Sequence, residues 1–457
     1  MVGERGRGRA ELESLLAHAL SLVTDAEAEA LFTAHDSSLT RFANSRIHQN
    51  VAERDETLRL RIVRDARTGV ATTNRLDDEG LREVVARAST TLALAAPNPD
   101  GDALPSPAPS TADPDLGYVA ATARADPDLR AAGARAVIAA GDAARLETSG
   151  AFTTESATLA VANTRGMWNA HTVSQAKLLT VMMGSRGASG YAQATAPDVR
   201  ALDPSALGEE AAGKAARSAD PIDLEPGSYP VILEEYAVAT ILEYLSWMGF
   251  SALAVEEGCS FMELGQPIMG SNVTIWDDGL DATGLPSVID LEGVPKQRVE
   301  LITDGVARAV VHDTATAARA GTVSTGHGLP APNAFGPLAW NLFMAPGSSA
   351  KEVMLSGIEH GVWVTRFHYV NIVHAKRGIL TGMTKDGTFL IEGGRVTRPI
   401  RNLRFTQSIP EAFSVIESIG SATRLVAAEY SGIMARVPAL RIANFTFTGA
   451  TAAEAAE

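Results

Sequence analysis

The chain has 457 residues, 46% of them apolar and 20% charged, enough for two or three domains with a substantial core. A net charge of −15 disfavours a nucleic-acid or anionic-membrane surface, and no apolar run approaches the about 20 residues of a membrane span. The only cysteine, Cys259, excludes an internal disulfide and a multi-cysteine zinc site, so a reducing cytoplasm is the expected compartment. The first residues are basic but lead into Glu11, Glu13 and His18, not the apolar core of a secretory leader.

Helical spacing over Glu11 to Leu22 opens the chain. Four alternating segments then read as strands: 28–35, 38–46, 47–54 and 56–64. Asp77 caps a helix through Leu81, Val84, Val85 and Ala88. This N-terminal α+β domain is expected over 1–96. Prolines at 97, 99, 105, 107, 109 and 114 break any regular element, so 97–117 reads as a linker or surface strap. A middle domain, 118–224, holds an Ala-rich helix from Asp126 or Pro127 and a meander of short strands at 150–156, 157–163, 167–173, 177–184 and 190–195. Gly184 to Gly190 suits a hairpin turn better than a phosphate cradle, because no helix follows it. A polar-faced helix over 209–219 closes this domain.

The C-terminal domain, 225–450, is expected to be strand-rich with a few packed helices, followed by a tail, 451–457; the fold class is α+β. Val231 to Leu233 forms a strand that enters a helix. Val238, Ile241, Leu242, Leu245 and Met248 lie along one stripe of that helix, and Gly249 follows as a left-handed cap. Further strands are expected at 288–291, 298–303, 306–311, 340–343, 362–374, 388–391, 395–397 and 437–447. Asp304-Gly305 and Glu392-Gly393-Gly394 are turns. Ser349, three residues before Glu352, predicts a capped helix over 348–360, and Pro410 opens another through Gly420.

The strand, turn and helix from Tyr229 to Gly249 resemble the start of the C-terminal domain in the TldD/PmbA family of metallopeptidases. Stronger likenesses are the strand Gly361 to Asn371, the run Thr381 to Phe405, Ser408 to Gly420 and Val437 to Gly449. Leu39 to Asn50 resembles an early motif of the family, and His48 there could touch a substrate or lie on a solvated strand face. The likeness covers nearly the whole chain and is firmest from about 320 to 449. In the TldD branch the helix carries His-Glu-x-x-x-His, whose imidazoles bind zinc while the glutamate activates a water. Those places fall here on Leu242, Glu243 and Trp247. Leucine offers no lone pair and an indole N–H only donates. A late cysteine supplies that branch's third ligand; the corresponding stretch here, Glu429 to Gly432, contains none. The resemblance is therefore to the PmbA (TldE) branch. It implies no cofactor in this chain, zinc in a TldD-like partner of a heterodimer, and peptide as substrate, with no nucleic acid or membrane.

Other constellations compete. His368 and His374 share a strand face with Arg366 but lie about 20 Å apart along an extended strand, too far to hold one ion. Arg366, with His368 and Tyr369, could line a peptide groove, or Arg366 could form a structural ion pair. His312, Asp313, Ser324 and His327 could form a nucleophile–base set or merely loop contacts. Cys259 is expected to pack as a small apolar residue. Two alternatives to a non-catalytic subunit remain. One is a metal-independent peptide-tailoring enzyme with Glu243 as general base; the other is a solitary peptide-binding protein.

Overall fold

Long antiparallel hairpins build the first half of the molecule. The computed structural model describes residues 7–98, 103–428 and 431–450; the first six residues and the predicted tail 451–457 lie outside them. Helix α1 (Arg9–Ser21) leads to β1 (Glu27–Ala43), β2 (Arg46–Arg64), β3 (Arg67–Thr73) and helix α2 (Asp78–Leu94). After the short α3 (Ala120–Ala123) and α4 (Pro127–Ala143) come β4 (Glu147–Asn163), β5 (Trp168–Met183), β6 (Ser189–Ala196) and α5 (Pro204–Arg217). Asp77 caps α2 as expected, and Asp126, one of the two expected starts, caps α4; each accepts a backbone N–H at 2.7 Å.

The four short strands expected between 28 and 64 are two long ones. Asp36, Ser37 and Ser38 look like a break, yet pairing runs through them: Asp36 faces Arg54 and Ser37 faces Glu53. Polar side chains are tolerated there because much of this half of the hairpin is exposed. The turn falls at Asn44-Ser45, both at positive φ (50° and 54°), as a two-residue hairpin loop requires. The five expected strands of the meander likewise fuse into β4, β5 and β6.

The expected separation of 1–96 from 118–224 is corrected by the sheet itself. The six strands form one sheet in the order β3-β2-β1-β4-β5-β6, with β1 against β4 from Glu29–Asn163 to Phe42–Gly150. Strand pairing across a hundred residues leaves no local signal, whereas the prolines between look like a boundary. Within that proline-rich stretch the described residues form a strap over the sheet. Asn163 Nδ2 donates to Pro105 O (2.9 Å), and Asn169 Nδ2 donates to Ala108 O (2.8 Å).

Strand β7 (Gly227–Leu233) starts the second sheet, followed by α6 (Glu235–Gly249), α7 (Ala252–Glu256), β8 (Ile275–Asp277), β9 (Val299–Thr303), β10 (Val306–Ala307) and α8 (Thr314–Ala320). Then come β11 (Asn341–Met344), α9 (Lys351–Leu355), β12 (His360–His374), β13 (Ile379–Glu392), β14 (Arg395–Pro399), β15 (Leu403–Ser408), α10 (Ile409–Ser414), β16 (Ile416–Ala427) and β17 (Met434–Ala450). Because β7 pairs with both β12 and β17, strands β17, β15, β13, β12 and β7 close into a ring. The α+β class holds, with two sheet-rich parts and helices packed on them. No helix among the described residues is long and apolar enough to cross a membrane.

Three local expectations fail for physical reasons. Only Lys351–Leu355 of 348–360 is helical, since Ser349 pairs with Gly420 and its hydroxyl accepts from Ser418 (2.7 Å) instead of capping. Helix α10 stops at Ser414 because Ile416 onward pairs with β17. Residues 288–291 form a buried loop with one bridge, Ile289 to Pro295, not a strand.

Helix α6 carries the expected stripe: Val238, Ile241, Leu242, Leu245 and Met248 are all buried in the main core. Gly249 is its last helical residue, not a left-handed cap; Phe250 follows in right-handed geometry. Glycine is needed there for space. An added Cβ would stand 2.3 Å from Phe261 Cε1, a fully packed ring. Gly249→Ala should therefore destabilise the chain by about 1–3 kcal/mol through overpacking, read as a lower urea midpoint.

Candidate functional site

Strand β7 closes the ring between β12 and β17 and leads directly into α6. At the junction Glu234 ends the strand pairing, and its N–H donates to Val364 O (3.0 Å). Its carboxylate caps nothing. It accepts from Lys214 Nζ of α5 (2.7 Å) and from Trp363 Nε1 (2.6 Å). Glu235 in the first turn pairs with Lys351 (2.6 Å), where a carboxylate also suits the helix dipole. Tyr236 OH donates to Glu210 Oε1 (3.1 Å) and accepts from the Arg424 guanidinium. Burial opposes the charge on Lys214, yet Glu234 and Glu210 hold its pKa above the usual lysine value. Burial likewise pushes the Tyr236 phenol well up. This buried set clamps α5 of the first sheet to the root of α6.

Further along α6, Leu242 is fully buried in the core and Glu243 is nearly so. Trp247 is 37% exposed and meets the exposed Phe335 edge-on at 6.1 Å. A tetrahedral zinc site needs nitrogen, sulfur or oxygen lone pairs. Leu242 has none, the Trp247 indole N–H only donates, and Glu243 alone could ligate. These residues do not fit a metal ion. Among the described residues no three His, Cys, Asp or Glu side chains gather closely enough to hold one. Glu429 and Tyr430 lie outside the described residues.

The residues expected to line a groove separate. Arg366 forms the structural ion pair: its guanidinium binds Asp386 (2.8 Å from Nε, 2.5 Å from a terminal nitrogen) and lies over the Tyr191 ring at 4.4 Å. With its side chain 11% exposed it is a tie between the two sheets, not a groove residue. His368 is partly buried beside Tyr369, ring centroids 4.3 Å apart. Tyr369 itself is exposed, at φ 49°, where the pairing of β12 with β13 shifts. That irregularity breaks the alternation assumed for 366–374. It leaves Ile372 and Val373 exposed with Tyr369. Beyond Val364, the side of β12 away from β13 carries no further strand among the described residues.

The candidates His312, Asp313, Ser324 and His327 do not assemble into a nucleophile–base set: Ser324 Oγ donates to His312 O (3.2 Å), and His327 meets Thr325 and Asp277 instead. His312 N donates to Thr325 Oγ1 (2.8 Å), Thr325 Oγ1 lies 2.9 Å from His327 Nδ1, and His327 Nε2 lies 2.8 Å from Asp277 Oδ1. Asp313 instead caps α8. His327 and Asp277 are wholly buried, so the set is a structural strut. Cys259 is exposed in the turn after α7, not packed. His48 lies at the hairpin tip with Ala43, Asn44 and Arg46.

Sequence reasoning missed the buried charges. Lys296 Nζ lies 3.3 Å from Asp277 Oδ1, with both side chains at zero exposure. Burial raises Asp277, but Lys296 and His327 outweigh it and hold the carboxyl well below its usual range. Nearby, Asp290 accepts N–H groups from Glu292, Val294 and Gly328 (3.0, 2.8 and 2.7 Å), yet burial pushes it up to about 7. Glu292 is raised well above the usual value by burial and by Asp290 and Glu29. The available signal was compositional: the chain has only six lysines, and Lys296 stands in an otherwise apolar and acidic loop.

Comparison with known proteins places this architecture. A model described as PmbA/TldA metallopeptidase C-terminal domain matches residues 226–449, and one described as PmbA/TldA metallopeptidase domain 1 matches 28–91. Among curated proteins, a metalloprotease TldD homolog of Buchnera aphidicola is 26% identical over 211 residues, 44% of this chain and 42% of that one. One from Haemophilus influenzae is 27% identical over 168 residues, 36% of this chain and 34% of that one. The matches thus span less than half the length of these relatives. In fold, the chain is similar to TldE from Thermococcus kodakarensis, with TM-score 0.86, 19% identity, 96% of this chain and 100% of that one. A candidate modulator of a DNA gyrase from Thermotoga maritima gives TM-score 0.84 at 18% identity, covering 96% and 100%. With both domain models matched, together over more than half of its length, the chain belongs to the TldD/PmbA family of metallopeptidases.

Proposed function

We propose that this chain is a non-catalytic subunit of a TldD-like zinc peptidase in the cytoplasm, paired as a heterodimer with a zinc-bearing chain and acting on peptides or unfolded protein. One observation carries the reading. At the places where the family resemblance expects ligands, α6 presents Leu242 to the core and Trp247 to an aromatic contact, and neither can coordinate. A family scaffold whose ion-holding helix has become ordinary core still keeps its surfaces. Beyond Val364 no described strand pairs with β12 opposite β13, and Tyr369, Ile372 and Val373 are exposed; this supports an extended peptide adding as a strand, although Val370 O already accepts from Tyr244 OH (2.6 Å).

The competing enzyme reading rests on Glu243, which is 8% exposed and so could have a role as a base only if burial poised it. In a complex reconstituted with a TldD-like chain, Glu243→Gln should leave kcat/KM for a peptide substrate within about twofold of wild type. General-base loss would cost on the order of a hundredfold or more, and a drop of that size would favour the enzyme reading. Co-expression tests the pairing itself. A chain with an intact His-Glu-x-x-x-His should co-purify, and a chain that always elutes alone would favour a solitary binding protein.

A further inference from the structure

Between the first sheet and the C-terminal domain lies a cavity of about 350 Å³, within the range of ligand pockets. On one side the strand register sets Ala157, Val173 and Leu159 on the sheet face turned away from the helices. The other side is Leu285, Trp340 and Met434 of the C-terminal domain. Asn341 also lines it, 5% exposed, and its Oδ1 has no hydrogen-bond partner although its Nδ2 donates to Leu285 O (2.8 Å). That Oδ1 is itself enclosed and faces Gly279, where an added Cβ would stand 3.2 Å from it, so it belongs to the wall of the cavity.

The mouth has a charge of its own. His35 lines the cavity, lies cross-strand from Asp55, and contacts Glu155 Oε2 at 3.2 Å. The next row outward on the same face holds Ser37, Glu53, Glu155 and Gln175. These two rows carry three carboxylates, one imidazole and no lysine or arginine. The row beyond brings Lys177, whose ammonium donates to Ala428 O (3.4 Å). Adjacent rows on one face are two residues apart, about 7 Å, the same spacing as alternate side chains of an extended peptide.

We propose that this crevice binds an extended peptide through an apolar side chain, with a lysine or arginine two residues away held by the carboxylates of Glu53, Asp55 and Glu155. The proposal rests on the reading above that peptides are the substrate. The apolar side chain fills the cavity and the cation sits at the acidic rim.

The test uses the full chain and an amino-terminally fluorescein-labelled peptide, Gly-Leu-Ser-Lys-Gly with an amide end, read by fluorescence anisotropy. Replacing its leucine by serine, or its lysine by glutamate, should each weaken binding about tenfold, the lysine effect shrinking with salt. Ala157→Trp, which fills the cavity, should weaken the parent peptide at least about tenfold. Glu155→Gln keeps the shape of a side chain that is 26% exposed at the rim; it should reduce the preference for lysine over glutamate. A folded Ala157→Trp that binds unchanged, or a Glu155→Gln chain with unchanged preference, would overturn the proposal. Repeating the titration with the co-purified complex separates the two readings. Expected binding by a chain that never pairs with a zinc subunit sinks the companion role alone. A complex that hydrolyses peptide while neither variant changes binding sinks the crevice alone.

Discussion

Lys214→Ala should destabilise the folded chain by about 3–5 kcal/mol, one of the largest single-residue effects expected here. The ammonium is 7% exposed and is shared by Glu234 (2.7 Å) and Glu210 (2.8 Å), with the Tyr236 ring 5.0 Å below it. Removing it leaves the Glu234 carboxylate buried with neutral donors, the Trp363 N–H (2.6 Å) and the Thr365 hydroxyl (3.4 Å), in place of its ammonium partner. Lys214→Met tests the cause. It keeps most of the stem packing, so a comparable loss assigns the effect to charge, whereas near wild-type stability would assign it to volume. Urea unfolding followed by tryptophan fluorescence reads both, and Trp363 lies in the contact itself. A loss below about 1 kcal/mol in both variants would contradict this account of how the two sheets are joined.

Stability should also fall as pH rises from about 5 to 8, opposite to the trend set by most paired carboxylates. Asp290, raised to about 7, and Glu292, raised well above its ordinary value, keep their protons in the folded chain. Unfolded, they ionise near pH 4. Their contribution is thus full below about pH 4 and is lost as pH climbs through 7. Asp277 acts in the opposite sense. Lys296 and His327 hold its carboxyl down, so its contribution is present above about pH 4 and lost in stronger acid. The two effects predict a maximum at about pH 4. Glu292→Gln removes a carboxyl that burial and the neighbouring Asp290 push up, and should flatten the alkaline limb between about pH 5 and 8. Urea midpoints at several pH values measure it. An alkaline limb as steep in Glu292→Gln as in wild type would show that these carboxylates do not share the burden.

What could be read in advance follows the range of the forces. Helix α6 was legible because its stripe and neighbouring strand are local, and every residue of that stripe is buried. Asp77, Asp126 and the Asp304-Gly305 turn were legible because caps and tight turns are chosen within four residues. The union of β1 with β4 was not, since nothing near Leu31 names Val161 as its partner. Long strands were cut short in the reading because exposed polar residues such as Asp36 mimic turns while still pairing across the hairpin. The candidate site divides in the same way. Leu242 and Trp247 could be seen as non-ligands from side-chain chemistry alone. That Arg366 meets Asp386 depends on the register of β12 against β13, and its place over the Tyr191 ring depends on two sheets meeting. The buried Asp277, Lys296 and His327 come from the end of β8 and from two loops that only the fold brings together.

The central claim, that zinc and hydrolysis belong to a partner and not to this chain, meets its most direct test in the metal content of purified protein. Elemental analysis of the isolated chain should give zinc far below one ion per molecule, with no peptide hydrolysis; co-purified with a TldD-like chain, the pair should hold one ion and cleave peptide. One tightly held zinc in the isolated chain, accompanied by hydrolysis, would contradict the account.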